Sequence, residues 1–304
     1  MKLKRVILTL LTLVFLSAAG VAGYYAYSWY SFTNKIQQPA TATSLPEWVG
    51  NERVNVLLLG VDKRDGETTT RSDSILLASV DPVTKKAHLF SILRDSWVSI
   101  PGYRNNRINT AYELGGPELA AQAVENLTGL TINYYVVTDF RGFEKVVDAV
   151  GGVDMYVEKN MDYTLYDNGG YFDIHLKQGY QHLDGHKALQ YVRFRHDAMG
   201  DFTRTQRQRN FLKALGTKLK SATGIWKLPE VLSAMSPYIK TNMSSSDMLR
   251  LAALGYSVDM ATIASEQIPP SSILREKTVG GAQVIDPRPD ETKKYIQDLL
   301  QSNP

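Results

Sequence analysis

Cysteine is missing from all 304 residues of the chain. That excludes disulfides, thiolate metal sites and a cysteine nucleophile, and it fits either a reducing cytosol or an exported protein that dispenses with disulfides. Excess charge is nearly missing too. The formal net charge is +3 and the pI near 8.8, which argues against wholesale nucleic-acid binding and leaves function to local charge placement. No GxxxxGK(S/T) loop is present to cradle a nucleoside triphosphate, no GxSxG elbow and no HExxH helix. His182 and His186 stand at i and i+4 without that glutamate, which argues against a zinc site. Internal repeats and low-complexity tracts are lacking as well. What remains is a chain with 43% apolar residues, long enough for one large or two modest domains.

One long apolar run is present. Lys2, Lys4 and Arg5 form a basic flank (1–5), and an uncharged stretch follows over 6–30. At 1.5 Å per residue it can cross the ~30 Å hydrocarbon layer of a bilayer. Positive-inside bias puts the N-terminus in the cytoplasm and the rest outside, which predicts a single-pass cell-membrane protein. Tyr24, Tyr25, Tyr27, Trp29 and Tyr30 form an aromatic belt at the far interface. The alternative is a cleaved signal peptide, since Ser17-Ala18-Ala19 offers small residues near a cut. Residues 31–50 are polar and contain proline, so they read as a tether. The body is expected over 51–304.

Within the body, VNVLLLG, SILLASV and AHLFSIL are short, branched apolar runs separated by polar turns, the pattern of buried strands. A helix is predicted from Pro117 to Leu127 with Gly129 past its end, then a strand (YYVVTD), a helix (140–150) stopped by Gly151-Gly152, and another strand (VDMYV). This alternation predicts an α/β fold with a central mixed sheet flanked by helices (α-β-α), preceded by one transmembrane helix. Residues 160–179 read as a hairpin or loop excursion. Leu183-Asp184-Gly185 leads into a helix ending near Tyr191. Asp201 is placed as the N-cap of a long helix to about Ser221, with Leu212, Leu215 and Leu219 as its core stripe.

Charge is concentrated between Tyr191 and Phe211, where Arg193, Arg195, Arg204, Arg207 and Arg209 fall within about twenty residues. Arg204, Arg207 and Gln208 share a helical face by their spacing. Elsewhere, Asp62 and Asp65 follow the first strand, Arg71-Ser72-Asp73-Ser74 opens the second, and Arg94-Asp95 closes the third. Taken singly, the aspartates can be turn formers, Arg94-Asp95 a strand-end ion pair, and the basic run a solvated helix face. Taken together, carboxylates able to hold a hard divalent cation and forked guanidinium groups are the parts that phosphoryl transfer needs. An extracytoplasmic body excludes nucleic acid as partner and leaves phosphate or diphosphate esters.

The segments VNVLLLGVD, RSDS, SILRD, RINTAYELGG, DAVGGVDMYV, LDGHKALQYVRFR and DFTRTQRQ stand in one order, and with them the chain resembles the LytR-CpsA-Psr family over about 55–219. The resemblance implies a membrane-anchored phosphotransferase that moves a glycopolymer (teichoic acid, capsule or similar polysaccharide) from a polyprenyl diphosphate carrier to a peptidoglycan hydroxyl. It implies Mg²⁺, or Mn²⁺, on Asp62 and Asp73. Arg71, Arg94, Arg193, Arg195, Arg204 and Gln208 would surround the diphosphate. Arg94, Asp95 and Asp73 are then the catalytic candidates, with Asp95 or Asp73 as proton acceptor. Arg207 and Arg209 are left as helix surface, and Arg107 and Asn109 without a role. The family usually reads SIPRD where this chain has Leu93. An apolar tunnel for the polyprenyl chain is also implied, between sheet and helices. A polyprenyl diphosphate hydrolase and a non-catalytic envelope scaffold are the alternatives.

Overall fold

The computed structural model describes residues 2–37, 45–62, 70–167, 170–197 and 200–302. Asp65 lies outside them. The first helix, α1 (Lys2–Ile36), has the uncharged middle that a membrane span requires and is long enough to cross one. It continues past residue 30, and Phe32 and Ile36 are buried against the body.

Strands β1 (Val54–Val61), β2 (Ser72–Val80) and β3 (Ala87–Ile92) form an antiparallel meander. Two short strands, β4 (Trp97–Val98) and β5 (Asn106–Arg107), precede α2 (Thr110–Thr128). The latter is a single turn kinked at Gly115-Gly116 and then a regular helix from Pro117, as the proline predicts. Gly129 closes it at φ 72°, a left-handed conformation that glycine adopts without strain. Strand β6 (Tyr134–Asp139) pairs parallel to β1, which the crossover through α2 makes possible. There follow α3 (Phe140–Ala149), β7 (Val153–Val157), the hairpin β8 (Met161–Asp167) and β9 (Gly170–Leu176), β10 (Gly179–Leu183) and α4 (Gly185–Arg193).

The remainder comprises α5 (Asp201–Lys220), α6 (Ala222–Trp226), α7 (Leu228–Met235), β11 (Ile239–Thr241), α8 (Ser245–Ser257), β12 (Ala264–Ile268), β13 (Arg275–Val279), β14 (Ala282–Asp286) and α9 (Pro289–Ser302). Six strands make the central sheet in the order β11-β6-β1-β2-β3-β12. The β1–β6 and β3–β12 pairs are parallel and the others antiparallel, so the sheet is mixed, as expected.

Strand alternation gives this sheet two apolar faces. Leu57, Leu59, Leu77, Phe90 and Val137 point to one, where α2 and α9 complete a close-packed core. Leu58, Leu76 and Val136 belong to the other, under α3, α4, α5 and α7. Close packing around α3, against α4 and against the segment before β11, depends on small residues. A Cβ on Gly185 would lie 2.4 Å from the Glu144 carbonyl oxygen, and one on Gly142 would lie 2.5 Å from the Cβ of Tyr238. Gly142→Ala is therefore expected to destabilise the protein by about 1–3 kcal/mol through overpacking, read as a lower denaturant midpoint with unchanged slope.

Candidate functional site

The strand directions bring the polar residues to one end of the sheet. β1 runs into this end and β2 runs out of it, so Asp62 and Asp73 lie beside each other although eleven positions separate them. Gly60 pairs with Ser74 and Val61 with Ser72, which leaves Asp73 as the unpaired residue of a β-bulge. A bulge re-aims a side chain at the cost of one ladder position, a device common beside active sites. β3 ends at the same edge and delivers Arg94, whose Nη1 donates to Oδ1 of Asp73 at 2.6 Å. Just before it, the Leu93 amide donates to the Ile268 carbonyl at 2.9 Å. A proline there could not make that bond.

Three helices complete the rim. Asp139 caps α3, accepting from the Gly142 amide at 2.7 Å, and Asp184 caps α4 in the same way through Lys187 at 2.8 Å. The C-terminal turn of α4 presents Arg193, whose guanidinium lies between the rings of Phe140 (4.5 Å) and Phe172 (4.6 Å). Stacking on two aromatic faces holds the fork flat at the cavity wall. Arg195 follows, exposed to solvent.

At the start of α5 the expectation about Asp201 needs correction. Gly200 occupies the N-cap position and Asp201 is the first helical residue. Its carboxylate is drawn instead to the Arg204 Nη2 at 2.6 Å, with Arg94 Nε 3.9 Å away. Arg204 also donates to the Asp73 carbonyl at 3.1 Å, and Gln208 accepts from Ser74 Oγ at 2.9 Å, so one face of α5 is bolted to the bulge. Burial alone would lower the pKa of Arg94, but Asp201, Asp73 and Asp95 surround it and hold the value above the ordinary one. Arg204 shifts the other way: burial, the largest cause, lowers it, Arg94 and Arg195 add repulsion, and the attraction of Asp201 and Asp73 does not make up for the burial. An additional anion would relieve that repulsion.

These residues line one cavity of about 680 Å³. Asp62, Asp73, Arg71, Arg94, Arg193, Arg195, Arg204 and Gln208 all face it. Asp95 does not. It lies 3.1 Å from Arg107 Nε and 3.8 Å from Arg94 Nε, and Arg107 in turn donates to the Gln283 carbonyl, tying β5 to β14. Asn109 is buried, and its carbonyl accepts from the Ser72 amide at the start of β2. Behind the polar rim the cavity is walled by Leu58, Leu76, Val136, Phe143, Leu189, Phe211, Leu212, Leu215, Met235 and Ile239. Interiors normally pack to crystal-like density, and a cavity of this size with a charged rim and an apolar wall has the dimensions and lining of a ligand site.

Arg207 and Arg209 are not helix surface: both are buried. Arg207 turns away from Arg204 and Gln208, donating to Glu158 at 2.5 Å, to Asp197 at 2.6 Å and to the Phe194 carbonyl at 2.9 Å. It thereby holds the segment that carries Arg195. The pKa of Asp197 is lowered: burial works to raise it, and the bonds from Thr203 and Arg207 outweigh that. A lowered folded-state value means the contribution is whole above the unfolded value of about 3.9 and is lost as pH falls through the folded one. Asp197→Asn should therefore flatten the acid limb of stability below about pH 4, measured by denaturant unfolding against pH.

Glu113 and Asp139 were not singled out in the sequence, yet both line the cavity, Glu113 accepting from Arg71 Nε at 2.7 Å. No spacing signal links partners 42 positions apart. His182 and His186 pair separately, with Asp154 and Glu144. Among the described residues no group of three or more His, Cys, Asp or Glu could hold a metal. Asp62 and Asp73 put two carboxylates on the cavity wall, and a pair of hard oxygen donors would suit an ion that keeps water and phosphate oxygens in its shell, as Mg²⁺ does, better than an all-protein cage.

Comparison with known proteins matches the LytR_cpsA_psr family model over residues 24–299. Regulatory protein MsrR of Staphylococcus aureus (strain COL) is 37% identical over 200 residues, which are 65% of this chain and 59% of that protein. The match thus spans less than two thirds of MsrR. Polyisoprenyl-teichoic acid–peptidoglycan teichoic acid transferase TagU of Bacillus anthracis (strain CDC 684 / NRRL 3495) is 35% identical over 243 residues, 77% of each chain. The solved structure of TagT bound to LI-WTA has a TM-score of 0.65 and 28% identity, covering 85% of this chain and 95% of that one.

Proposed function

Because the chain belongs to the LytR_cpsA_psr family, we propose that it is a membrane-anchored glycopolymer–peptidoglycan ligase. It takes an anionic wall polymer, a teichoic acid, capsule or similar polysaccharide, from a polyprenyl diphosphate carrier and joins it to a peptidoglycan hydroxyl. The observation that supports this most is a cavity that joins an arginine-rich mouth to an apolar interior. A diphosphate fits the first and an isoprenoid chain the second, at about 0.8 kcal/mol per buried methylene. TagU is named for this transfer, and TagT has been solved with LI-WTA. On this reading α1 is the anchor, with its N-terminus in the cytoplasm and the body outside.

The hydroxyl attacks the phosphorus that bears the glycan, the bridging P–O–P bond breaks, and polyprenyl phosphate leaves with the bridging oxygen. Arg193, Arg195 and Arg204 contact the non-bridging oxygens and neutralise the charge that builds on the departing phosphate. Gln208, fixed by Ser74, keeps the helix edge in register with the diphosphate. Of the two carboxylates considered as proton acceptor, Asp73 lines the cavity and Asp95 does not, so Asp73 is the one within reach of the hydroxyl. Five arginines face four carboxylates (Asp62, Asp73, Glu113, Asp139) on the cavity wall, a net charge of +1. A diphosphate diester carries two negative charges, so a cation on Asp62 and Asp73 restores a positive balance. Bound there, Mg²⁺ or Mn²⁺ would polarise a phosphoryl oxygen and stabilise the leaving phosphate.

The test is to incubate the full chain with lipid-linked glycopolymer, omitting in turn the peptidoglycan acceptor and the divalent cation. Polyprenyl phosphate should form only when both are present. Release without acceptor would mark a hydrolase, and binding without turnover a scaffold.

A further inference from the structure

Three exposed apolar side chains lie beside the anchor helix, and none of the described residues covers them. Ile225 and Trp226 end α6 and Leu228 begins α7, exposed by 45%, 71% and 36%. The stretch Ser221–Trp226 carries no charged residue. This element is fastened to α1 at a definite depth: the Tyr25 hydroxyl donates to the Trp226 carbonyl at 3.1 Å. Given that α1 spans the membrane, the reading on which this inference rests, that contact fixes where α6 sits. A hydrocarbon layer of ~30 Å takes about twenty residues of helix, so a span that starts at Val6 reaches its far boundary near Tyr25. A span that starts later would put Tyr25 deeper still. Either way, a segment hydrogen-bonded to Tyr25 lies at the headgroup–acyl boundary and not in bulk water.

We propose that Ile225, Trp226 and Leu228 form a second membrane contact, a wedge seated in the outer interface of the bilayer beside α1. Tryptophan is the side chain that favours this layer most, with its ring in the acyl boundary and its indole N–H towards the headgroups. The wedge also orients the cavity. Helix α7 follows it directly; Met235 and Ile239 wall the apolar end of the cavity, and both pack in the cluster that holds Phe32 and Ile36 of α1. Seating the wedge therefore turns the apolar end of the cavity towards the bilayer, where an isoprenoid chain resides, and leaves the arginine mouth facing the wall.

The chain has no cysteine, so single cysteines can be introduced into the full protein without other change. Trp226→Cys, Val14→Cys and Tyr103→Cys would each be labelled with nitrobenzoxadiazole in vesicles of phosphatidylethanolamine and phosphatidylglycerol. The expected result is quenching by shallow doxyl lipids at 226, by lipid-borne quenchers at 14 and by aqueous iodide at 103. Iodide access at 226 equal to that at 103, with 14 still in lipid, would overturn the wedge and leave the anchor standing. A water-exposed label at 14 would overturn both. A functional arm uses Ile225→Asn/Trp226→Asn, which touches no residue of the cavity. KM for a carrier embedded in vesicles should rise about ten-fold with kcat unchanged, while a short, water-soluble prenyl analogue should be used as by the wild type. An equal loss on both substrates, or none on either, would contradict the proposal.

Discussion

Replacing Arg193 with alanine is expected to slow transfer by about 10²–10³-fold, the usual effect of removing one charge-stabilising donor from a phosphoryl or acyl transition state. Stability should change little. Arg193 is half-buried, its contacts with Phe140 and Phe172 are worth about 0.5–1 kcal/mol each at such sites, and a thermal midpoint measured beside the rate reads any further loss. Arg193→Lys should recover only a small part of the rate, because an ammonium keeps the charge but neither stacks between two rings nor offers a forked pair of donors. The same comparison at Arg204 would be confounded. Arg204 is buried and pairs with Asp201, and its loss leaves that carboxylate with Arg94 alone, 3.9 Å away, so folding and catalysis fall together. Turnover and thermal midpoint measured side by side separate the two cases.

Filling the cavity should be as damaging to substrate binding as emptying the mouth is to chemistry. Val136 on β6 and Leu212 on α5 both line the apolar space. In Val136→Phe/Leu212→Trp the added bulk displaces about four methylene groups of lipid, at about 0.8 kcal/mol each, or about 10²-fold in affinity. The variant should be as stable as the wild type or more so, since the new side chains occupy an existing void and displace no packed neighbour. Titration with farnesyl diphosphate and with inorganic diphosphate makes the result specific: the first should bind weakly, and the second as before. Equal loss of both would mean that the rim has been distorted.

Much of this arrangement is legible in the sequence because strand and helix periods report which faces are apolar. VNVLLLG, SILLASV and AHLFSIL read as buried strands, and they form the meander of the central sheet. What a period does not report is whether the space it faces is filled. Leu58 and Leu57 are equally apolar neighbours on β1, yet one faces the cavity and the other a packed core. Charge follows the same division. The crowding of arginines after Tyr191 was visible, but RTQRQR looks uniform until partners from distant segments sort it. Asp73 and Ser74 claim Arg204 and Gln208, while Glu158 and Asp197 claim Arg207. Asp201 was misplaced as a cap because local pattern favours the backbone, and two arginines outbid it for the carboxylate.

The ligase account is tested most directly by the fate of the two phosphorus atoms of the carrier. Lipid-linked glycopolymer radiolabelled on the glycan-side phosphorus would be given to the full chain with peptidoglycan. The account predicts that this label appears in the peptidoglycan fraction as a phosphodiester, matched by unlabelled polyprenyl phosphate in equal amount. Label released to water as phosphorylated glycan, or label left on the lipid while the protein binds it, would contradict the account.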